Sequence, residues 1–347
     1  MKINLNKILI LVLFLFCVNI GFSMDQYKKL AVMYDDRFLN HNTGSGHPEN
    51  PTRLITAINE LKTNPNFKDE LVWPSFSPAS NAIISLAHSP SYIKLVEDEI
   101  SALSAQDLAY LSTGDTVISK DTLEAAKLAV GAGIKAADMI VKGEVNAAFA
   151  MVRPPGHHAT QYRGMGFCVF NNIAILARYL QQHHNFKRIL IVDFDVHHGN
   201  GTQDIFYRDN SVFYFSIHQH PFYPGTGRPS ETGADQGEGF TLNIDLPAGS
   251  GDDELLKGLN HQLKPAMDQF KPDFILVSAG LDAHQGDVLG GLNYSDDGYR
   301  KAAVFLNDLA KRYSNQKIIY MLEGGYTPEN IKNSTTAILL SIINQNF

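Results

Sequence analysis

Four short segments concentrate histidine, carboxylate, tyrosine and glycine in a way that points to chemistry. They are Arg153-Pro154-Pro155-Gly156-His157-His158, Asp193-Phe194-Asp195-Val196-His197-His198-Gly199-Asn200-Gly201, Gly280-Leu281-Asp282 and Glu323-Gly324-Gly325-Tyr326. Asp195 and His197 flank one residue, so in extended backbone both side chains project to the same side. With Asp282 they make three ligands of N and O type and leave positions for water and substrate, the pattern of catalytic rather than structural zinc. The set has no thiolate, so Fe2+ or Co2+ suits it as well. A metal held there acidifies a water and polarises a carbonyl. His157 and His158 can then move protons, and Tyr326 can donate a hydrogen bond to a developing oxyanion. Singly, Asp-x-His, His-His and Gly-Gly-Tyr are weak signals; their joint placement is strong.

That placement follows from the elements between them. Strand-like apolar runs cover Leu30–Tyr34, Ala147–Val152, Arg188–Asp195, Val212–His218, Phe274–Ala279 and Lys317–Leu322. Helix-like runs cover Arg53–Lys62, Asp121–Val141, Asn172–His184, Asp252–Phe270, Asp296–Tyr313 and Glu329–Asn344, with Pro265 expected to kink or split the fourth. Such alternation predicts an α/β fold with a mostly parallel sheet and helices on both faces. In such sheets the ligand sits beyond the carboxyl ends of the strands. Each of the four segments lies there. No repeat, low-complexity linker or charge block marks a boundary, so one catalytic domain over residues 24–347 is expected.

At 347 residues the chain can bury a large core without disulfides, and 44% hydrophobic with 19% charged residues excludes disorder and coiled coil. A formal charge of −7 gives no global attraction to nucleic acid or anionic membranes, so neither is expected as a partner. Lys2 and Lys7, the apolar run Ile8–Val18, and Gly21-Phe22-Ser23 have the layout of a secretory signal peptide over residues 1–23. If it is cleaved, the chain is exported, periplasmic or secreted; if Met24 is the true start, it is cytoplasmic. Export leaves Cys168 as the single thiol and rules out an intramolecular disulfide. No later stretch is long and apolar enough to span a bilayer.

With these segments in order, the chain resembles the zinc-dependent histone deacetylase and acetylpolyamine amidohydrolase superfamily. The likeness runs from about Ala31 to the carboxyl end and is nearest the class II and bacterial branch, since Asn200 stands where other branches carry Asp. Its motifs also include His47-Pro48-Glu49 with Arg53, Gly166-Phe167-Cys168 and Pro224-Gly225-Thr226-Gly227. The resemblance implies a three-layer, arginase-like α/β fold and zinc on Asp195, His197 and Asp282. It implies His157 and His158 as the proton-transfer pair, Asp193 and Asn200 as the partners that orient them, and Tyr326 as activator of the acetyl carbonyl. Phe167 and Tyr223 would line a narrow tunnel for a four-carbon amine stem. Structural potassium is implied by Asp193, Asp195, His197 and Ser216, with a second ion by Phe206, Asp209, Val212 and Phe240. The segment His88-Ser89-Pro90-Ser91-Tyr92 has no acidic residue where some members hold the substrate backbone with Asp.

The expected reaction is hydrolysis of an N-acetylated primary amine, His157 accepting the water proton and His158 protonating the departing amine. Acetyl-lysine in proteins or peptides is the first substrate expectation, because Leu71 to Thr122 shows no long insertion; small acetylated polyamines are the alternative. A two-metal ureohydrolase would need a second Asp/His set, and a non-catalytic acetyl-amine binder would not need Tyr326. Gly131-Ala132-Gly133 reads as helix packing, His218 as scaffold and Cys168 as a small apolar wall residue. His183-His184 is expected to be exposed at a helix end.

Overall fold

The computed structural model describes residues 30–345; the leader expected over residues 1–23 lies outside them. Ten strands occur among the described residues: β1 (Leu30–Met33), β2 (Leu71–Val72), β3 (Ala109–Tyr110), β4 (Val117–Ile118), β5 (Ala147–Ala150), β6 (Ile189–Asp193), β7 (Val212–Gln219), β8 (Thr241–Leu246), β9 (Phe274–Ala279) and β10 (Ile318–Leu322). The principal helices are α1 (Thr52–Thr63), α2 (Asn81–Ile84), α3 (Pro90–Ser101), α4 (Thr122–Val141), α5 (Asn172–His184), α6 (Asn200–Phe206), α7 (Asp252–Lys257), α8 (Lys264–Phe270), α9 (Asp296–Tyr313) and α10 (Pro328–Asn344). Eight strands form one sheet in the order β2-β1-β5-β10-β9-β6-β7-β8, and β3 and β4 make a separate antiparallel hairpin.

Every pairing in the large sheet is parallel. Its inner strands are buried along their whole length, as Phe274-Ile-Leu-Val-Ser-Ala279 shows, because helices cover both faces. All the carboxyl ends therefore open on one edge, and that edge receives the four motifs.

Local chemistry sets the helix limits. Asn171 Oδ1 caps α5 by accepting from the Ala174 N–H, and the helix stops at Asn185 in the left-handed region (φ +60°). Ser89 caps α3 through the Tyr92 N–H, with Pro90 in its first turn. The run Asp252–Phe270 is split as expected: a π-helical stretch at Gly258–Leu263 separates α7 from α8 and takes up the proline at 265. Gly131 lies within α4, where a Cβ would come 2.0 Å from the Ser77 carbonyl oxygen. Among the described residues no helix is long and apolar enough to cross a membrane.

Candidate active site

The loop after β6 and the loop after β9 bring Asp195, His197 and Asp282 together, with one ligand atom from each within 4.8 Å of the others. No other group of three His, Cys, Asp or Glu side chains is so placed among the described residues. His197 Nδ1 lies 3.1 Å from Asp195 Oδ1 and 3.2 Å from Asp282 Oδ2. The outward oxygens are tied to backbone: the Gly324 N–H donates to Asp195 Oδ2 (2.8 Å) and the Val196 N–H to Asp282 Oδ1 (2.9 Å). Asp282 Oδ2 is buried and accepts no well-aligned hydrogen bond. A buried carboxylate oxygen left bare beside a second carboxylate is a costly arrangement without a cation. Burial and the charge of Asp195 push the Asp282 carboxyl up to about 7. Burial opposes charge on His197, yet the adjoining carboxylates of Asp195 and Asp282 raise it to about 9. The donor set fits a divalent metal.

The two aspartates are boxed in by missing side chains. A Cβ on Gly280 would sit 2.1 Å from Asp195 Oδ2, and one on Gly324 would sit 2.0 Å from Asp282 Oδ2. Only glycine lets backbone come this close.

The histidine pair follows β5, with ring centroids 4.0 Å apart. Their partners differ. His157 Nδ1 lies 3.0 Å from Asp193 Oδ2, and its Nε2 is 3.9 Å from Asp195 Oδ1. Burial disfavours its charge, but these carboxylates outweigh it and push the group up to about 10. His158 Nδ1 lies 2.8 Å from Asn200 Oδ1, an acceptor that fixes the proton on Nδ1 and leaves Nε2 as a lone pair. Burial, then the neighbouring His157 and His197, hold His158 well below its ordinary value. Asp193 is itself held by the Tyr214 hydroxyl (3.1 Å) and the Asp195 N–H (3.2 Å). Tyr214 was invisible to motif reading, since nothing in a β7 apolar run singles out one aromatic.

A cavity of about 100 Å³ opens above this floor, lined by Phe167, Tyr223, His158, His197, Leu289 and Tyr326, with Gly166 and Asp115 completing it. Phe167 and Tyr223, the residues expected to line a tunnel, both line this cavity. The Tyr223 ring meets His158 edge-on at 5.2 Å, and Phe167 meets Tyr326 at 5.9 Å. Asp115 and Leu289 are additions. Asp115 sits in the β3–β4 turn, exposed, with Oδ1 accepting from the Gly166 N–H (2.7 Å). His88, by contrast, is buried and accepts from the Asn171 N–H (2.8 Å). The segment Ser89–Tyr92 caps and begins α3, and the acidic group at the mouth comes instead from the β3–β4 turn. Cys168 is buried behind the lining, its Sγ 3.4 Å from the Gly166 carbonyl oxygen.

Tyr326 is held by two devices. Arg53, fully buried, stacks its guanidinium 4.9 Å from the Tyr326 ring and donates to the carbonyls of Gly325 and Glu323. Glu49 keeps that charge neutralised, pairing with Arg53 (2.9 Å) and with Arg153. Burial would raise Glu49, but Arg153 and Arg53 hold it far below the carboxylate range. The second device is Asp287, whose Oδ2 accepts from the Tyr326 and Thr327 N–H groups (2.8 and 3.0 Å) while Oδ1 accepts from Leu289 (3.0 Å). One carboxylate therefore fixes two walls of the cavity. Replacing Asp287 with Ala is expected to lower kcat about 10-fold to 100-fold, as small misplacements of reacting groups do. Metal content should stay unchanged; a variant that loses its metal instead would show a general collapse of the site.

Glu323 ties the motifs to each other: Oε2 accepts from the Gly156 and His157 N–H groups (2.6 and 3.1 Å), and Oε1 from Ser278 Oγ (3.0 Å). Of the residues expected to hold potassium, Asp193 and Ser216 are register partners on β6 and β7, with Asp195 and His197 just beyond. Phe206, Asp209, Val212 and Phe240 gather around the α6–β7 connection, where Asp209 also pairs with Arg178 (2.5 Å). His218 is buried scaffold, bonded to Ser216 Oγ and the Gly227 carbonyl. His183 is exposed, but His184 is half-buried on Asp138 (2.8 Å).

A family model for the histone deacetylase domain matches residues 47–342. The chain belongs to the histone deacetylase domain family. Membership makes it a hydrolase of the deacetylase class, with Asp195, His197 and Asp282 as its candidate metal site. Within this histone deacetylase family it is 41% identical over 307 residues to histone deacetylase 10, chloroplastic, of Oryza sativa subsp. japonica, covering 85% of this chain and 69% of that one. It is 37% identical over 301 residues to a probable deacetylase of Archaeoglobus fulgidus, covering 86% and 82%. The crystal structure of the HDA15 HD domain superimposes with a TM-score of 0.85 at 36% identity, over 92% of this chain and 89% of that one. The α/β fold with its parallel sheet between helices is therefore that of the family.

Proposed function

We propose that the chain removes acetyl groups from the ε-amine of lysine in polypeptides, with zinc on Asp195, His197 and Asp282. The observation that carries this is the narrow cavity between Phe167 and Tyr223, which leads past His158 and Tyr326 to the buried Asp-His-Asp set. A cavity of about 100 Å³ between two aromatic rings suits an unbranched amine stem and rejects bulkier groups. When bound, zinc supplies Lewis-acid activation of the acetyl carbonyl and of water. His158, with Nε2 unprotonated, takes the proton of the attacking water and returns it to the departing amine. His157, held by Asp193, keeps its proton and contributes positive charge. This division differs from the expectation that His157 is the base, and it follows from the partners: two carboxylates stabilise the imidazolium of His157 far more than one neutral amide oxygen stabilises that of His158. The Tyr326 hydroxyl donates to the developing oxyanion.

Asp115, an exposed carboxylate at the mouth, can accept a backbone N–H of a polypeptide substrate. Potassium at the Asp193/Ser216 cluster and at the α6–β7 connection belongs to the same proposal. So does a cleaved leader ending at Ser23, for which the mass of the exported protein is the check. The decisive assay is acetate release by the chain from Met24, comparing an acetyl-lysine peptide with N-acetylputrescine. A chelator-sensitive preference for the peptide of tenfold or more in kcat/KM, about 1.4 kcal/mol, is the expected result. The reverse preference makes the polyamine reading correct.

A further inference from the structure

Seven large apolar side chains are exposed among the described residues, and five of them lie on segments that frame the cavity. Leu108 and Tyr110 belong to the β3–β4 hairpin whose turn carries Asp115. Leu108 reaches across to the loop at Gly44, where a Cβ would lie 3.1 Å from its Cδ1. That loop leads to His47, whose ring meets the cavity residue Phe167 at 4.8 Å. Tyr162 stands in the turn closed by the Thr160–Arg163 bridge, and Arg163 donates to the Thr113 carbonyl (3.1 Å) of the hairpin. Val288 precedes the lining residue Leu289, and Tyr223 is itself part of the wall. Exposure of 68% for Tyr110, 63% for Tyr162 and 67% for Val288 is far above what packing requires. Apolar side chains gathered around a site rather than scattered mark a binding surface.

The charges at the mouth say what kind of partner fits. Asp115 is the one carboxylate among the cavity-lining residues, and Arg163 stands on the turn bonded to the same hairpin. A polycation would meet a cation and a single acid there. A polypeptide would bring apolar side chains to a collar able to cover them.

We propose that Tyr110, Tyr162 and Val288, with Leu108, bind an apolar side chain flanking the acetylated lysine of a polypeptide substrate. The proposal rests on the lysine deacetylase reading above and adds to it a preference for sequence context. Val288 adjoins the lining residue Leu289 in the chain, and Tyr110 and Tyr162 lie on the two segments joined by the Arg163–Thr113 bond beside the lining residue Asp115, so a lysine seated in the slot carries its neighbours toward them. Aromatic side chains suit the role because they give large contact area at small entropic cost.

The test uses the zinc-loaded chain and two acetyl-lysine peptides that differ only in carrying Phe or Ser on either side of the modified residue. Acetyl-lysine amide, which has no neighbours, is the reference within each variant. Wild type is expected to favour the Phe peptide by tenfold or more in kcat/KM, mainly through KM. In Tyr110→Ser/Tyr162→Ser/Val288→Ser the ratio should fall below threefold, and each single substitution should lower it in part. A wild-type ratio near one, or a ratio retained in the triple variant, overturns the collar while leaving the deacetylase reading intact. Failure of the loaded wild type to release acetate from any of the three substrates removes that reading, and the collar with it.

Discussion

His158→Gln lowers kcat by about 10²–10⁴-fold, the range that a positioned proton carrier contributes, and His157→Gln costs about tenfold less. The asymmetry comes from what each Nδ1 faces. Asn200 Oδ1 can only accept, so His158 presents a bare Nε2 to the cavity that it lines. A buried neutral imidazole between cations takes a proton reluctantly and gives it up readily, which suits delivery to an amine nitrogen. His157 is not among the cavity-lining residues, and its two carboxylate neighbours keep it protonated at neutral pH. The acid limb of the kcat/KM profile should lie below the ordinary histidine value, persist in His157→Gln and vanish from the residual activity of His158→Gln. A larger loss in His157→Gln would return the base role to His157.

Removing the metal bound at Asp195, His197 and Asp282 should make the stability of the protein fall as pH rises. Asp282 and His197 both have folded-state values above their ordinary ones, about 7 against 3.8 and about 9 against 6.5. Each therefore binds more protons in the folded chain. The stabilisation is present at low pH and is lost between about pH 4 and 7 for Asp282, and between about pH 6.5 and 9 for His197. Asp195, which burial alone would raise, is instead held below the carboxylate range by His157 and His197, so its opposite contribution is lost only in acid. A divalent cation displaces the shared protons and removes their share of the fall with pH. At a thousand times its dissociation constant it also adds about 4 kcal/mol. The melting temperature with chelator should fall from pH 5 to 9 relative to that of the metal-loaded protein. Asp282→Asn should bind less than a tenth of the wild-type zinc and lose activity by more than 10³-fold. Parallel melting curves with and without chelator would count against the metal assignment.

What sequence could reveal here divides along physical lines. The buried strands β5, β6, β7, β9 and β10 are continuous apolar runs, and the residues just past β5, β6, β9 and β10 supplied the whole reacting set. The edge strands β2 and β8 escaped, the first because two residues carry no period, the second because Thr241-Leu-Asn-Ile-Asp-Leu246 mixes polar with apolar residues. Helix α3 went unread although Ser89-Pro90 marks its start. Glu49, Arg53 and Glu323 were visible as motif members without a role, since pairing across 104 residues of chain between Glu49 and Arg153 cannot be read locally. Asp287, Leu289 and Asp115 lie on loops with no periodic pattern. Only the fold brings them to the cavity.

The tight approach of Gly280 and Gly324 to the two aspartates has a consequence at the level of the gene. Every amino acid reachable from a glycine codon by one base change carries a Cβ, and at these two positions that atom would fall about 2 Å from a carboxylate oxygen. Drift therefore has no neutral neighbour to step onto. Lineages that abandon the reaction should show it first as an alanine or serine at 280 or 324, with the aspartates and His197 still in place. A descendant that keeps all three ligands but has lost either glycine is the signature of a retired enzyme.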